Sequence, residues 1–134
     1  MRILAALMAC ALAAACARAP APAQPQTQAP AMQSSAAMEA NRRAEASLRR
    51  GDLEVAALRY REALRLSLAV EDANGVAANA LSLSVVLQRQ GKVDEARASL
   101  APLLERATLE FPAERRAQAA LRRAVLDLDE RRPA

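Results

Sequence analysis

One segment that occurs twice, 40 residues apart, constrains the fold of this chain more than any other feature. The first copy, GDLEVAALRYREAL, begins at Gly51, and the second, GKVDEARASLAPLL, begins at Gly91. When the two glycines are aligned, apolar positions coincide: Leu53 with Val93, Ala56 with Ala96, Tyr60 with Leu100 and Leu64 with Leu104. A unit that recurs every 20 to 50 residues or so is typical of repeat folds, in which neighbouring copies stack and bury a shared core.

The apolar residues around the two glycines fall at helical spacing and predict five helices joined by short loops. One face of the first helix carries Ala37, Ala40, Ala44 and Leu48. Gly51 is expected to end this helix, and Asp52 to cap the start of the second. The segment EDANG, Glu71 to Gly75, is expected to end the second helix, because Asn74-Gly75 is a strong turn signal.

The later helices are expected over residues 76–90, 93–108 and 112–130. The third is apolar around most of its circumference, which predicts burial between neighbours. Pro102 predicts a kink in the fourth, because proline lacks the N–H that would bond the Ala98 carbonyl. The apolar face of the fifth comprises Ala117, Leu121, Ala124 and Leu128. The residues expected in the core are Leu53, Tyr60, Leu83, Leu87 and Leu100.

The composition favours helices around a thin core and argues against several classes of function. Hydrophobic residues make up 53% of the chain but aromatic residues only 1%, so most apolar positions hold alanine or leucine, which favour helix. There is no histidine, and both cysteines, Cys10 and Cys16, precede the folded part, which removes the commonest general base and the usual zinc ligands. The net charge of +4 is ordinary for a soluble domain. We therefore expect no enzyme, no metal or other cofactor, and no nucleic-acid partner.

The first residues have the layout of an export signal. Met1-Arg2 is followed by ILAALMACALAAAC, a basic start before an apolar stretch and small residues. The apolar run is shorter than the roughly 20 residues that a membrane-spanning helix needs. LAAAC, which ends at Cys16, resembles the lipobox of bacterial lipoproteins, and this resemblance implies a signal peptide over residues 1–15 and a lipid on Cys16. Two alternatives remain: LMAC, which ends at Cys10, has the family's usual leucine spacing, and an ordinary signal would be cleaved after Ala15.

Residues 16–35 are expected to form an extended Pro/Ala/Gln-rich tether between the anchor and the folded domain. Four of the seven prolines lie there, and Met32 is the only long apolar side chain. Such a segment has too little apolar surface to pack and favours polyproline conformation. Ala17 follows the cysteine where an Asp would imply inner-membrane retention, and the resemblance to lipoproteins therefore implies the outer membrane.

The repeated unit resembles the tetratricopeptide repeat, a pair of antiparallel helices joined by a Gly-Asp or Gly-Lys turn. In the first copy the matching residues are Ala44, Gly51, Asp52, Leu53, Ala56, Tyr60 and Ala63. In the second they are Ser84, Gly91, Val93, Asp94, Glu95, Ala96 and Leu100. The resemblance implies an all-α fold over residues 36–134, with about two stacked helix pairs and a C-terminal capping helix. The 40-residue period departs from the family's 34 residues or so, and a generic Ala-rich bundle remains the alternative.

In such stacks the first helix of each pair lines a concave groove. The resemblance therefore implies a partner-binding groove formed by Asn41, Arg42, Arg49, Leu81, Val85 and Arg89. Arg49 and Arg89 occupy the same place in the two copies, and paired guanidinium groups grip carboxylates well. The alternative is that both are solvated surface arginines.

Together these features predict a lipid-anchored protein–protein interaction module in the bacterial envelope, facing the periplasm from the outer membrane. The expected partners are an envelope protein or peptide, the membrane through the lipid, and a second copy, because two repeats are marginal for a stable core. The alternatives are an accessory subunit of a cell-wall enzyme or of a secretion or pilus assembly complex, and a structural spacer.

Overall fold

The computed structural model of this protein describes residues 28–105 and 109–130. The regular elements in these ranges are α1 (Gln28–Arg50), α2 (Leu53–Ala69), α3 (Ala73–Arg89), α4 (Val93–Ala98), α5 (Ala101–Leu104) and α6 (Ala113–Glu130). The helix α2 packs between α1 and α3, and α3 also contacts α1, α4, α5 and α6. The last helix, α6, packs against α4 and α5 as well. The prediction of an all-α, repeat-like fold is confirmed. The predicted signal peptide and Cys16 lie outside the described residues.

The first helix begins earlier than predicted. Residues 16–27 of the predicted tether lie outside the described part. Residues 28–35 are helical, whereas an extended segment was predicted there. Pro30 does not prevent this, because it lies in the first turn, where a backbone N–H has no acceptor within the helix. The predicted face of α1 is confirmed: Ala37, Ala40 and Ala44 are buried.

The turns that follow α1, α2 and α3 are alike. Each contains one residue in the left-handed region: Gly51 with φ 84°, Glu71 with φ 54° and Gly91 with φ 75°. In each turn the N–H of that residue donates to a carbonyl three residues back, and the next N–H donates to one five residues back. This is the Schellman ending, which reverses the chain within two or three residues. The two glycine turns were predicted, and the turn at Glu71 falls at the start of the segment EDANG, Glu71 to Gly75, that was predicted to end α2.

The predicted turn at Asn74-Gly75 is wrong, because both residues lie in the first turn of α3. Asp72 is the N-cap, and its side chain accepts a hydrogen bond from the Gly75 N–H at 3.0 Å. A Cβ atom at Gly75 would meet the Asp72 carboxylate and lie 2.6 Å from Ser67 Oγ. The glycine is therefore explained by the close approach of α2 and the capping side chain.

This close approach predicts how a substitution of Gly75 changes the stability of the fold. Gly75→Ala is expected not to raise the free energy of unfolding, because the loss of the cap, worth about 1 kcal/mol, and the displacement of Ser67 offset the gain in helix propensity. Elsewhere inside a helix, Gly→Ala stabilises by a similar amount, since alanine has the higher helix propensity. Urea denaturation distinguishes the two outcomes, and a gain in stability would contradict the packing described for Gly75.

The core lies between α2, α3 and α4, as predicted. Tyr60, Leu83, Leu87 and Leu100 are at most 3% exposed, and Leu53 is half-buried against the same cluster. Fully buried alanines bring the helices close together: Ala44, Ala56, Ala57, Ala77, Ala80 and Ala96. The middle helix, α3, is buried on most sides, as its apolar circumference predicted.

The predicted fourth helix is interrupted near its proline. The chain leaves the α-helix after Ala98 and resumes it at Ala101, which confirms the predicted distortion around Pro102. Ser99 Oγ donates to the Ala96 carbonyl at 2.8 Å within this interruption. The helix ends at Leu104 rather than at residue 108, and residues 106–108 lie outside the described ranges.

The last helix presents a different face to the core from the one predicted. Ala119 and Leu126 are fully buried, whereas Leu121 is 68% and Leu128 63% exposed. Ala117 and Ala124 are also exposed. Polar contacts hold the helix in this orientation, since Arg97 Nε donates to Asp127 Oδ1 at 2.8 Å. The more apolar stripe of α6 consequently lies on the surface.

Candidate functional site

Two open cavities lie along α3 and form what we call the groove. The α1–α3 cavity, of about 450 Å³, is lined by Ala37, Met38, Asn41, Arg42, Glu45, Ser67, Asp72, Asn74, Gly75, Ala78, Asn79 and Arg115. The α3–α6 cavity, of about 310 Å³, is lined by Leu81, Val85, Gln118, Leu121, Arg122 and Val125. The groove thus has α3 as its floor, with α1 and α6 as walls.

A buried amide network underlies the α1–α3 cavity. Asn41 Nδ2 donates to Asn79 Oδ1 at 2.7 Å, and Asn79 Nδ2 donates to Ser67 Oγ at 3.3 Å. Asn79 and Ser67 are buried, so these bonds satisfy polar atoms that water does not reach. The network links α1, α3 and α2, and it fixes the predicted groove residue Asn41 in position.

The predicted groove residue Arg42 lies in the same cavity and is already paired. Arg42 Nη2 donates to Glu39 Oε2 at 2.6 Å, and Arg43 Nε donates to Glu39 Oε1 at 2.9 Å. The hydrogen bonds from Arg42 and Arg43 hold the pKa of the Glu39 carboxyl below its usual value. A ligand would therefore meet an ion pair here rather than an isolated cation.

The predicted apolar floor lies in the α3–α6 cavity. Leu81 and Val85 line it together with Leu121 and Val125 from α6. These four side chains surround a mainly apolar space that is open to solvent. Leu81 and Val85 were predicted as groove residues, whereas Leu121 had been assigned only to the apolar face of the fifth helix.

Arg122 is the cation beside this apolar space. Its Nε donates to Ser84 Oγ at 3.0 Å and its Nη2 to the Ser84 carbonyl at 3.2 Å, and Nη2 also donates to Gln88 Oε1. Gln88 in turn donates to Asp129. Burial lowers the pKa of the Arg122 guanidinium, which stays charged because arginine titrates far above neutral pH. Sequence reasoning missed Arg122, although its spacing from Ala119 and Leu126 matches the buried side of the helix.

Arg49 and Arg89 line neither cavity. Both are exposed in the last turn of α1 and α3, respectively, one helical turn beyond the groove residues Glu45 and Val85. No ion pair within the described ranges involves either arginine. Because α1 and α3 are each joined to α2 by a chain reversal, they run in the same direction, and both arginines lie at the same end of the groove.

Tyr60 lies beside this end of the groove. It is 2% exposed, and burial raises the pKa of its hydroxyl, although a hydrogen bond with the Ser82 side chain opposes the rise. Glu45 and Arg49 are close enough to act on the hydroxyl electrostatically. The helices α1, α2 and α3 therefore converge around the Tyr60 side chain.

Two further features, a metal-binding cluster and a membrane-spanning helix, are absent from the described residues. Residues 28–105 and 109–130 contain no group of three or more cysteine, aspartate or glutamate side chains placed to hold a metal ion. Within that part of the chain, no helix combines the length and the apolar character needed to cross a bilayer. Comparison with models of known protein families, with curated proteins and with solved structures finds no match.

Proposed function

We propose that this chain is a protein–protein interaction module of the bacterial envelope, held at the outer membrane by a lipid on Cys16 and facing the periplasm. The observation that carries the proposal is the groove along α3, which combines an apolar cavity with arginines on its walls and at its end. Sites that hold peptides commonly pair an apolar pocket with a few charged groups that fix orientation. The signal-like first residues support the envelope location.

The chemistry of the groove favours an extended peptide that carries an apolar side chain followed by a carboxylate. Leu81 and Val85 offer the apolar side chain a pocket. Arg89 follows Val85 by one turn of α3, and Arg49 stands at the same end of α1. A carboxylate held by two guanidinium groups forms charge-assisted hydrogen bonds, which are stronger than neutral ones. The partner is thus proposed to be an acidic segment of another envelope protein.

Charge reversal at the end of the groove tests this proposal. In the variant Arg49→Glu/Arg89→Glu, capture of partner proteins from membrane extracts is expected to fall roughly tenfold or more, because two charge-assisted contacts become repulsive. The helical circular-dichroism signal and the melting temperature should stay near wild type, since both side chains are exposed. Quantitative mass spectrometry of the captured proteins provides the measurement.

A matched control separates recognition from net charge. Arg65 and Arg123 are exposed and line neither groove cavity, so Arg65→Glu/Arg123→Glu changes the net charge equally while leaving the groove intact. Arg115 would be an unsuitable control because it lines the α1–α3 cavity. Equal losses in both variants would show bulk electrostatics only, and no loss in the groove variant would remove Arg49 and Arg89 from the proposed site.

A further inference from the structure

The exposed face of α6 has the properties of a helix–helix interface. Leu121 and Leu128 are 68% and 63% exposed, and Ala117 and Ala124 are exposed beside them. We call these four residues the seam. The buried residues Ala119 and Leu126 lie on the opposite side of the helix, so the seam points away from the chain's own core. A continuous apolar stripe in this position is typical of a surface that another protein covers.

The spacing of the seam is that of a coiled coil. Its positions, 117, 121, 124 and 128, are separated by four, three and four residues. This alternation keeps apolar side chains on the line along which two helices meet, because it matches the 3.5-residue repeat of packed helices. The seam therefore suits a second helix that runs nearly parallel or antiparallel to α6.

The seam is complementary in side-chain size to the seam of a second copy that runs in the opposite direction. A two-fold axis midway between Leu121 and Ala124 places each of these residues against the other in a second copy. The same axis places Leu128 against Ala117, so every leucine meets an alanine. A parallel alignment in register would instead oppose leucine to leucine and alanine to alanine, which packs unevenly.

The charges on α6 favour the same orientation. Near its start, Arg115 and Arg116 outnumber Glu114. Near its end lie Asp127 and Asp129, which also bond Arg97 and Gln88 within the chain. Antiparallel pairing puts the basic start of one helix beside the acidic end of the other, and parallel pairing would bring like charges together. From the size and charge complementarity together, we infer that the seam binds the seam of a second copy of this chain in antiparallel orientation. Leu121 belongs to both the seam and the α3–α6 cavity, so a second copy bound to the seam would border the proposed peptide groove.

The oligomeric state of the full chain tests the dimer. A form with Cys10→Ser and Cys16→Ser carries neither lipid nor native thiol, and sedimentation equilibrium should show a monomer–dimer equilibrium. Adding Leu121→Glu and Leu128→Glu is expected to weaken dimerisation about tenfold or more, since four carboxylates would enter the seam. The matched control is Leu58→Glu with Leu68→Glu, two exposed leucines of α2 that are 59% and 41% exposed. A wild-type monomer at all accessible concentrations, or equal weakening by the control, would overturn the proposal.

Cysteine cross-linking tests the orientation. In the same cysteine-free chain, Ala117→Cys and Leu128→Cys are made separately, mixed, and exposed to mild oxidant. Antiparallel pairing predicts a disulfide between the two variants when mixed, and little disulfide in either variant alone. Efficient self-linking of Ala117→Cys would show a parallel arrangement and overturn the inferred register. Circular dichroism of each variant confirms that the helices are retained.

Discussion

Leu87→Ala is expected to lower the free energy of unfolding by about 2 to 5 kcal/mol. Leu87 is 1% exposed and packs in the core cluster with Tyr60, Leu83 and Leu100. Truncation removes apolar atoms from the core and leaves a cavity, and the surrounding alanines have little side chain to fill it. A domain of this size is commonly stable by about 5 to 15 kcal/mol in total, so the loss would be a large fraction.

Urea denaturation followed by circular dichroism measures this loss, and an exposed leucine supplies the control. Leu58 on α2 is 59% exposed, and Leu58→Ala should change the free energy of unfolding by no more than about 0.5 kcal/mol. Both substitutions remove the same atoms and keep helix propensity high, so the difference between them isolates burial. A loss below about 0.5 kcal/mol for Leu87→Ala would place Leu87 at the surface.

The helical hairpins could be predicted because their determinants are local. Gly51 and Gly91 adopt left-handed φ values that glycine tolerates best, and the apolar spacing on both sides is helical. Glu71 adopts the same left-handed conformation although it has a side chain, so no glycine marks the turn after α2. Gly75 misled the prediction, because its role is to leave room for Asp72 and Ser67 rather than to turn the chain. That role depends on contacts between helices, which a local pattern does not reveal.

The orientation of α6 could not be predicted from hydrophobicity alone. Its most apolar face contains Leu121 and Leu128, and such a face is normally buried in its own domain. The structure instead buries Ala119 and Leu126, and directs Arg122 toward Ser84 of α3. These polar bonds connect residues far apart in the sequence. In the inferred dimer, the apolar face of α6 is buried against a second copy. The hydrophobic pattern of α6 then indicates the interface of the dimer rather than the core of the single chain.

Some of the residues predicted to form the groove line a cavity, and others do not. Leu81 and Val85 were selected because the resemblance to stacked helix pairs assigns the first helix of each pair to a groove, and both line a cavity. Arg122 and Arg115 were missed because arginines in a charged helix gave no sign of which ones face the groove. Arg49 and Arg89 were selected by their equivalent positions in the two repeats, and they lie beyond the cavities. Sequence repetition thus identifies equivalent positions, whereas the lining of a cavity depends on how the helices pack.

Cys16→Ser is expected to abolish membrane attachment of the mature chain. In the proposed lipoprotein the Cys16 sulfur carries the diacylglyceryl group, and serine does not form that thioether. Each buried methylene of an acyl chain contributes roughly 0.8 kcal/mol to membrane binding, so losing the lipid removes nearly all of the affinity. Fractionation of cells that express the full chain should show the wild type in the membrane pellet. The variant should be found either in the soluble fraction or only as the precursor with its signal uncleaved, which its mass distinguishes.

Cys10→Ser is the matched control, because it makes the same chemical change six residues earlier in the signal-like segment. This variant should stay attached to the membrane and keep the wild-type mass after processing. Intact-mass measurement of the wild type should give a chain that begins at Cys16 and carries acyl groups. If only Cys10→Ser lost membrane attachment, the lipid would be assigned to Cys10 instead of Cys16. An unmodified chain that begins at Cys16 would indicate an ordinary cleaved signal, and the proposed anchor would be wrong.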